Sequence, residues 1–220
     1  MTDEKRKAIK RKTAMIDVQQ LTGRTEPLLS LFSDISTAEA RVECFPGSVS
    51  PISGNGDQFA TVDFHHNELV WKIYYPARCN AHQVYHELLH VRWRHLENAP
   101  SLSARAGADA QTISNISELN NDFDHAYVVL REIATYPEAS AYWERDFAGR
   151  FPAASVGSLQ VKLTLLRGWM VLPVALPQSQ VTQRYRAALR TNGWQGRLST
   201  FVLIATEPFE RPVAPAGDRK

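Results

Sequence analysis

The sequence predicts an α+β fold: a small antiparallel or mixed sheet with a mainly helical remainder. Two runs of alternating residues around a short polar break predict a β-hairpin over residues 59–75. Apolar residues then recur at helical spacing over residues 116–133, which predicts a long amphipathic helix. Hydrophobic residues make up 44% of the 220 residues and charged residues 22%, a composition typical of a globular chain with a sizeable core.

We expect three parts along the chain. Residues 1–20 form a basic, loosely ordered segment, residues 21–150 form the core, and residues 151–220 form a helical part packed on the same domain. The net charge is only +2, so charge alone does not indicate a nucleic-acid or membrane-surface protein. The basic N-terminal arm leaves a nucleic-acid or protein contact open. No feature of the sequence indicates an oligomeric state.

The cysteines and the hydropathy pattern suggest the compartment. Cys44 and Cys79 are too few for a disulfide framework, and they do not form a CxxC metal knuckle, although they allow one bridge. No apolar stretch follows the basic start, so we expect no secretory signal. The most apolar run, around residues 161–176, is too short and too charged to span a membrane. We therefore expect a cytoplasmic protein with no membrane partner.

The hairpin leads directly into a helix. Its two strands are predicted at Phe59–Phe64 and Leu69–Tyr75, and a proline ends the second. Asn80 is a suitable N-cap, with a glutamine three residues later as in a capping box. The helix is therefore predicted over residues 81–96, before a break that contains Pro100.

Further helices are predicted towards the C-terminus. The long helix ends at Tyr136-Pro137, a third helix covers residues 138–149, and the remainder is mostly helical, including Val181–Arg190. Phe201–Ala205 is compatible with either strand or helix. The apolar stripe of the long helix consists of Ile116, Leu119, Phe123, Ala126, Leu130 and Ile133.

The motif that carries chemistry lies on the helix after the hairpin. Residues 86–90 read His-Glu-Leu-Leu-His, which is HExxH. Residues four apart on a helix lie nearly above one another, so the imidazoles of His86 and His90 can reach one ion. Glu87 lies about 100° round the helix from the first histidine. It can therefore flank the metal without binding it and take a proton from an attacking water.

This hairpin, helix and motif resemble the zincin superfamily of zinc metallopeptidases, over about residues 59–137. The resemblance implies that His86 and His90 bind Zn²⁺ and that Glu87 is the general base. It also implies that the second helix supplies the third ligand. Leu69–Tyr75 would then be the edge strand that pairs with an extended peptide substrate. The resemblance identifies no subfamily.

The third ligand departs from the best-known zincin patterns. The metzincin extension is absent, because His95 follows the second zinc ligand by five residues instead of six and the glycine is missing. We expect His95 to be a surface residue. The gluzincin string ExxxD matches Glu118 to Asp122. The fragment that ends Asp124-His125 resembles the N-x-x-[D/E]-H fragment of some HExxH proteins and points to His125.

Helical geometry narrows this choice. With Ala126 at 0°, the apolar stripe centres near about +25°. Asp124 falls near about 160°, so it faces away from the expected core and we exclude it as a ligand. Four residues lie between roughly −40° and −120° on one edge of the stripe: Glu118, Asp122, His125 and Glu132.

Among these edge residues we favour His125 as the third ligand. Imidazole is a common zinc ligand and carries no charge to desolvate when it is metal-free. Glu118 is the next candidate, and Asp122 and Glu132 stay open. If His125 binds the metal, one of these three acids can accept its second N–H.

Other side chains receive weaker assignments. Tyr127 and Tyr136 are candidate donors to an oxyanion. We expect His65 and His66 to face solvent, and Arg92 and Arg94 to face solvent or pair with acids. The tryptophans are expected to be packing residues: Trp71, Trp93, Trp143, Trp169 and Trp194.

The sequence therefore predicts a zinc-dependent hydrolase, most simply a metallopeptidase acting on peptides or proteins. One Zn²⁺ would be held by His86, His90 and His125, with Glu87 as general base for a zinc-activated water. The alternative is a non-catalytic regulatory or interaction protein that keeps the zincin scaffold and uses the metal for stability or sensing. A third hypothesis is a helical interaction protein with a chance HExxH and no metal.

Overall fold

The computed structural model describes residues 16–38, 40–48, 60–65, 68–151 and 159–191. Within this range the chain is a mixed α+β protein, mostly helical with a small sheet, as the sequence predicts. It divides into two units, Met1–Gly149 and Arg150–Lys220. Several predictions lie outside the described residues, namely those for residues 1–15, Phe59, His66, Trp194 and Phe201–Ala205.

The first unit holds the sheet and four helices. After a 3₁₀ turn at Val18–Gln20, its elements are β1 (Leu21–Thr22), α1 (Glu26–Thr37), β2 (Val42–Pro46), β3 (Thr61–His65), β4 (Val70–Tyr75), β5 (Cys79–Asn80), α2 (Ala81–Val91), α3 (Ala110–Thr135) and α4 (Ala139–Arg150). α4 has nearly the predicted bounds. α2 begins where predicted but is α-helical only to Val91, and α3 ends where predicted but begins at Ala110, before the predicted stripe. Neither α1 nor β2 was predicted. Both cysteines are buried and free, so the optional bridge is not formed.

The predicted hairpin is present, but its second strand is not an edge strand. β3 and β4 pair antiparallel, with Thr61 opposite Tyr74 and His65 opposite Val70. β2 runs parallel to β4 on its other side, which gives the order β2-β4-β3. The prediction that Leu69–Tyr75 is a free substrate-pairing edge is therefore wrong, because both sides of β4 are already paired. Of the two outer strands of this sheet, β3 is the one that packs more closely on α2. A separate parallel pair joins β1 to β5, with Leu21 opposite Cys79.

Helix α2 is the central element of this unit. The Asn80 side chain accepts the backbone N–H of His82 at 3.2 Å, which is the predicted N-cap. Nine of the eleven residues of α2 are buried, because α1, α3 and the sheet all pack against it. After Val91 the helix continues as a π-helical turn over Arg92–Leu96. A helix enclosed in this way holds its side chains in fixed positions.

Helix α3 is rotated relative to the orientation that its apolar stripe predicts. On a helical wheel with Ala126 at 0°, the buried residues of α3 centre near about −115°. The apolar stripe centres near about +25° on that wheel. Leu130 of the stripe is 36% exposed, and Asp124, predicted to face away from the core, is buried. Burial does not follow hydrophobicity here because the buried acids have polar partners. The buried residues are Asp122, Asp124, Val128, Val129 and Glu132.

The second unit contains two packed helices, α5 (Leu159–Ala175) and α6 (Gln180–Thr191). The buried Tyr185 of α6 crosses α5 at Gly168, where a Cβ would lie 2.0 Å from its ring. Only glycine allows this close approach. Across the described parts of both units, no helix is both long and apolar enough to cross a membrane.

Ile73 should be a critical core position, because it is fully buried in the middle strand β4. We expect Ile73→Ala to lower the free energy of unfolding by about 2–5 kcal/mol. The matched control is Ile113→Ala, the same change at a residue that is 52% exposed on α3, and it should stay within about 0.5 kcal/mol of the natural chain. Denaturant unfolding with chelator present measures both, and equal losses would contradict the central place of β4.

Candidate metal centre

Three histidine rings from two helices meet beside the buried face of α2. His86 and His90 lie one turn apart on α2, and His125 reaches them from α3. The Nε2 atom of His86 lies 3.2 Å from that of His90 and 3.3 Å from that of His125. One ligand atom from each of the three residues lies within 4.8 Å of the other two. These are the three residues that the sequence predicts as metal ligands.

The donor set fits zinc. Zinc binds imidazole nitrogen at about 2.0–2.1 Å in tetrahedral sites, which separates neighbouring ligand atoms by about 3.3 Å. The two closest pairs of ring nitrogens have separations of this size. Nitrogen lone pairs repel one another at such distances unless a cation or a proton lies between them. The cluster can therefore hold a metal ion.

Glu132 of α3 fixes the orientation of His86. Its Oε2 atom accepts the Nδ1–H of His86 at 2.8 Å. A carboxylate only accepts, so the hydrogen bond places the proton on Nδ1. In the neutral ring, Nε2 then keeps the lone pair that a metal requires. Glu132 was among the open ligand candidates. The structure places it behind His86 instead of in the three-histidine cluster.

Two further donors share the Glu132 carboxylate. The Nδ1–H of His82 donates to Oε1 at 2.6 Å, and the indole N–H of Trp143 on α4 donates to Oε2 at 2.8 Å. The side chain of Glu132 is only 1% exposed. Burial alone would raise its pKa, but the charge of His86 and the hydrogen bonds outweigh burial and lower the pKa to about 2. The carboxylate therefore stays ionised in the core.

His90 is supported in a similar way by Asp124 and Arg94. The Nδ1–H of His90 lies 3.4 Å from an oxygen of Asp124, and Arg94 binds both oxygens of that carboxylate, each at 2.8 Å. Asp124, which the sequence predicts to face away from the core, is thus buried behind His90, outside the three-histidine cluster. Burial lowers the pKa of His90, and the contact with Asp124 offsets only part of that effect. A neutral imidazole is the form that binds metal.

Glu87 lies on a different side of α2, against β3. The backbone N–H of Val62 donates to its carboxylate. Burial raises the pKa of Glu87 to about 7, although His86 acts in the opposite direction, and the charges of Glu132 and Asp63 raise it further. A half-buried carboxylate with such a pKa can both accept and release a proton near neutral pH.

The remaining candidates lie outside the three-histidine cluster. Glu118 and His95 are exposed, the latter as predicted, and Asp122 is buried on α3. The hydroxyl of Tyr127 donates to Glu97, and that of Tyr136 donates to the backbone carbonyl of Arg24. Both hydroxyls are therefore committed to other partners. They are not available as oxyanion donors in this arrangement.

Within the described residues, the remaining histidine, arginine and tryptophan side chains with a predicted role are packed or paired. The His65 side chain is 22% exposed and lies 3.9 Å from Glu68, so it is partly buried instead of solvent-facing. Arg92 binds Glu97, in keeping with the acid partner predicted for it. Four of the five tryptophans make ring contacts or lie in the core, namely Trp71, Trp93, Trp143 and Trp169.

Sequence reasoning missed the residues that support the ligands. His82 carried a detectable signal, because His82, His86 and His90 follow one another at intervals of four and so line one face of α2. The roles of Asp124 and Trp143 carried none. Their partners lie 34 and 11 residues away in the sequence, respectively, and such pairings depend on how the helices pack.

Comparisons with models of known protein families, with curated protein sequences and with solved structures found no match to this chain. A function for this chain is therefore inferred from its residues and their geometry alone.

Metal content should depend on the three histidines. We expect the purified chain, supplied with zinc, to hold close to one Zn²⁺ per chain, and His86→Ala/His90→Ala to hold none, because two of three ligands are gone. His95→Ala is the matched control, since His95 is exposed outside the cluster, and it should retain the metal. Elemental analysis after gel filtration measures all three. A natural chain without zinc would refute the site.

Proposed function

We propose that this chain is a zinc-dependent hydrolase of the zincin type, most simply a metallopeptidase. His86, His90 and His125 would hold one Zn²⁺, and Glu87 would act as general base. The observation that carries the proposal is the convergence of three histidines, with the Nε2 atom of His86 at ligand spacing from those of His90 and His125. A half-buried carboxylate one residue after the first ligand adds the group that hydrolysis requires.

Different residues would orient the zinc ligands and transfer the proton. Bound zinc would polarise a carbonyl oxygen and lower the pKa of a water molecule. Glu132 and Asp124 hold the imidazoles of His86 and His90 at Nδ1, which leaves the two Nε2 atoms 3.2 Å apart in the cluster that would hold the ion. Glu87 would take the proton of the attacking water and return it to the leaving amine.

The peptide substrate is supported by the position of β3. Within the described residues β3 is an outer strand of its three-stranded sheet, and an extended chain adds to a sheet along an outer strand. Glu87 contacts β3 through the backbone N–H of Val62. A peptide added along β3 would therefore lie beside the proposed general base. This assignment replaces β4, whose two edges are occupied.

The number of ligands distinguishes this function from its main alternative. A structural zinc site has four protein ligands, whereas a catalytic site has three and an open position. Within the part of the chain that the structure describes, the cluster contains three ligand residues. This count favours a catalytic site over a metal used only for stability or sensing.

Glu87→Gln tests the proposed function directly. Glutamine keeps the shape of the side chain but cannot accept the proton, so we expect hydrolysis of an unstructured protein such as casein to fall at least about 100-fold. Zinc content should stay unchanged, because Glu87 is not a ligand. Measuring both quantities on the same sample separates loss of catalysis from loss of metal.

Glu118→Gln is the matched control. It makes the same change at an exposed glutamate outside the cluster, and it should keep both zinc and activity. Full hydrolytic activity in Glu87→Gln would refute the proposed mechanism. A zinc-loaded natural chain that hydrolyses no peptide or protein would favour the non-catalytic alternative.

A further inference from the structure

We infer that His82 and Trp143 are positioning residues for the metal centre, acting through the carboxylate of Glu132. Neither side chain belongs to the three-histidine cluster. The inference rests on the metal site of the proposed function, and it adds two residues to that site from different helices. It does not depend on which reaction the bound metal supports.

The two carboxylate oxygens of Glu132 accept hydrogen bonds from different donors. Oε1 accepts the Nδ1–H of His82, and Oε2 accepts the Nδ1–H of His86 and the indole N–H of Trp143. A carboxylate can rotate about its terminal bond, and fixed donors on both oxygens prevent that rotation. Oε2 therefore stays aimed at the ring of His86.

Burial makes these donors necessary. With Glu132 only 1% exposed, water does not readily replace a lost hydrogen bond. If His82 lost its donor, Oε1 would be a buried acceptor without that partner, and the carboxylate would turn to share its remaining donors. The hydrogen bond that orients His86 would weaken as a result. His86 would then present Nε2 to the metal less consistently.

The helical repeat explains why His82 can bind the same carboxylate as His86. It precedes His86 by one turn on the same face of α2, so both Nδ1 atoms face α3 and can reach one side chain there. Trp143 approaches from α4, and its ring lies 5.3 Å from that of His86. Three helices thus contribute to the orientation of one ligand.

The experiment compares zinc affinity in His82→Leu and His82→Asn, by competition with a chromophoric chelator. Leucine and asparagine have nearly the same shape, but the asparagine amide can donate from the position of Nδ1. We expect His82→Leu to weaken zinc binding about tenfold and His82→Asn to stay within about threefold of the natural chain. Near-natural zinc affinity in His82→Asn would show that zinc binding depends on the hydrogen-bond donor to Glu132 at position 82 and not on the volume of the side chain.

Trp143→Phe provides a second test that is independent of how the His82 variants fold. It removes the indole N–H and keeps an aromatic ring, and it should weaken zinc binding several-fold. Trp93→Phe makes the same change where the indole stacks on Tyr127, and it should leave zinc affinity unchanged. Loss of a donor to the buried carboxylate also lowers the free energy of unfolding. Zinc affinities are therefore compared where denaturant unfolding shows every metal-free variant to be fully folded.

Each outcome decides the inference. Natural zinc affinity in both His82→Leu and Trp143→Phe would overturn it, as would equal weakening in His82→Leu and His82→Asn. Failure of the proposed hydrolase would look different, because the natural chain would bind zinc with the predicted pattern of affinities and yet hydrolyse nothing. Absence of zinc from the natural chain would refute both.

Discussion

A buried carboxylate, that of Glu132, is the constraint on which the first unit depends. An ionised carboxylate in a protein core is unfavourable unless donors surround it, and Glu132 has three, from α2 and α4. Satisfying it requires α3 to turn its acidic edge inwards, against the preference of its apolar stripe. That rotation also brings Asp124 to His90 and His125 to the other two histidines. The arrangement of the three histidines and the packing of the helices thus depend on the same hydrogen bonds.

Helix α2 carries the histidines on one side and Glu87 on another. Its face towards α3 carries His82, His86 and His90, each with a carboxylate behind its Nδ1. Its side towards the sheet carries Glu87, which contacts the backbone of β3. In the proposed hydrolase, metal and base would therefore be held by one rigid element, while a substrate would approach along the strand. Precise placement of this kind is what hydrolysis by a metal and a general base requires.

The sequence predicted best those features that depend on local periodicity. The hairpin, the start of α2 with its Asn80 cap, the end of α3 and the bounds of α4 all follow from alternation, helical spacing, capping residues and proline breaks. β2 was missed because its parallel pairing joins Val42 to Trp71, and no local pattern encodes such a partner. The rotation of α3 was mispredicted because Asp122, Asp124 and Glu132 are polar and buried. The three histidines were found through the HExxH spacing and one short fragment, whereas their supporting residues depend on helix packing.

The central claim is that His86, His90 and His125 form a three-nitrogen zinc site that leaves one position for a non-protein ligand. Zinc K-edge X-ray absorption on the zinc-loaded chain tests it most directly. We expect three imidazole nitrogens at about 2.0–2.1 Å and one oxygen neighbour that does not belong to an imidazole, with the imidazole signal reduced in His125→Ala. A fourth protein ligand, a sulfur neighbour at about 2.3 Å, or a spectrum unchanged in His125→Ala would contradict it.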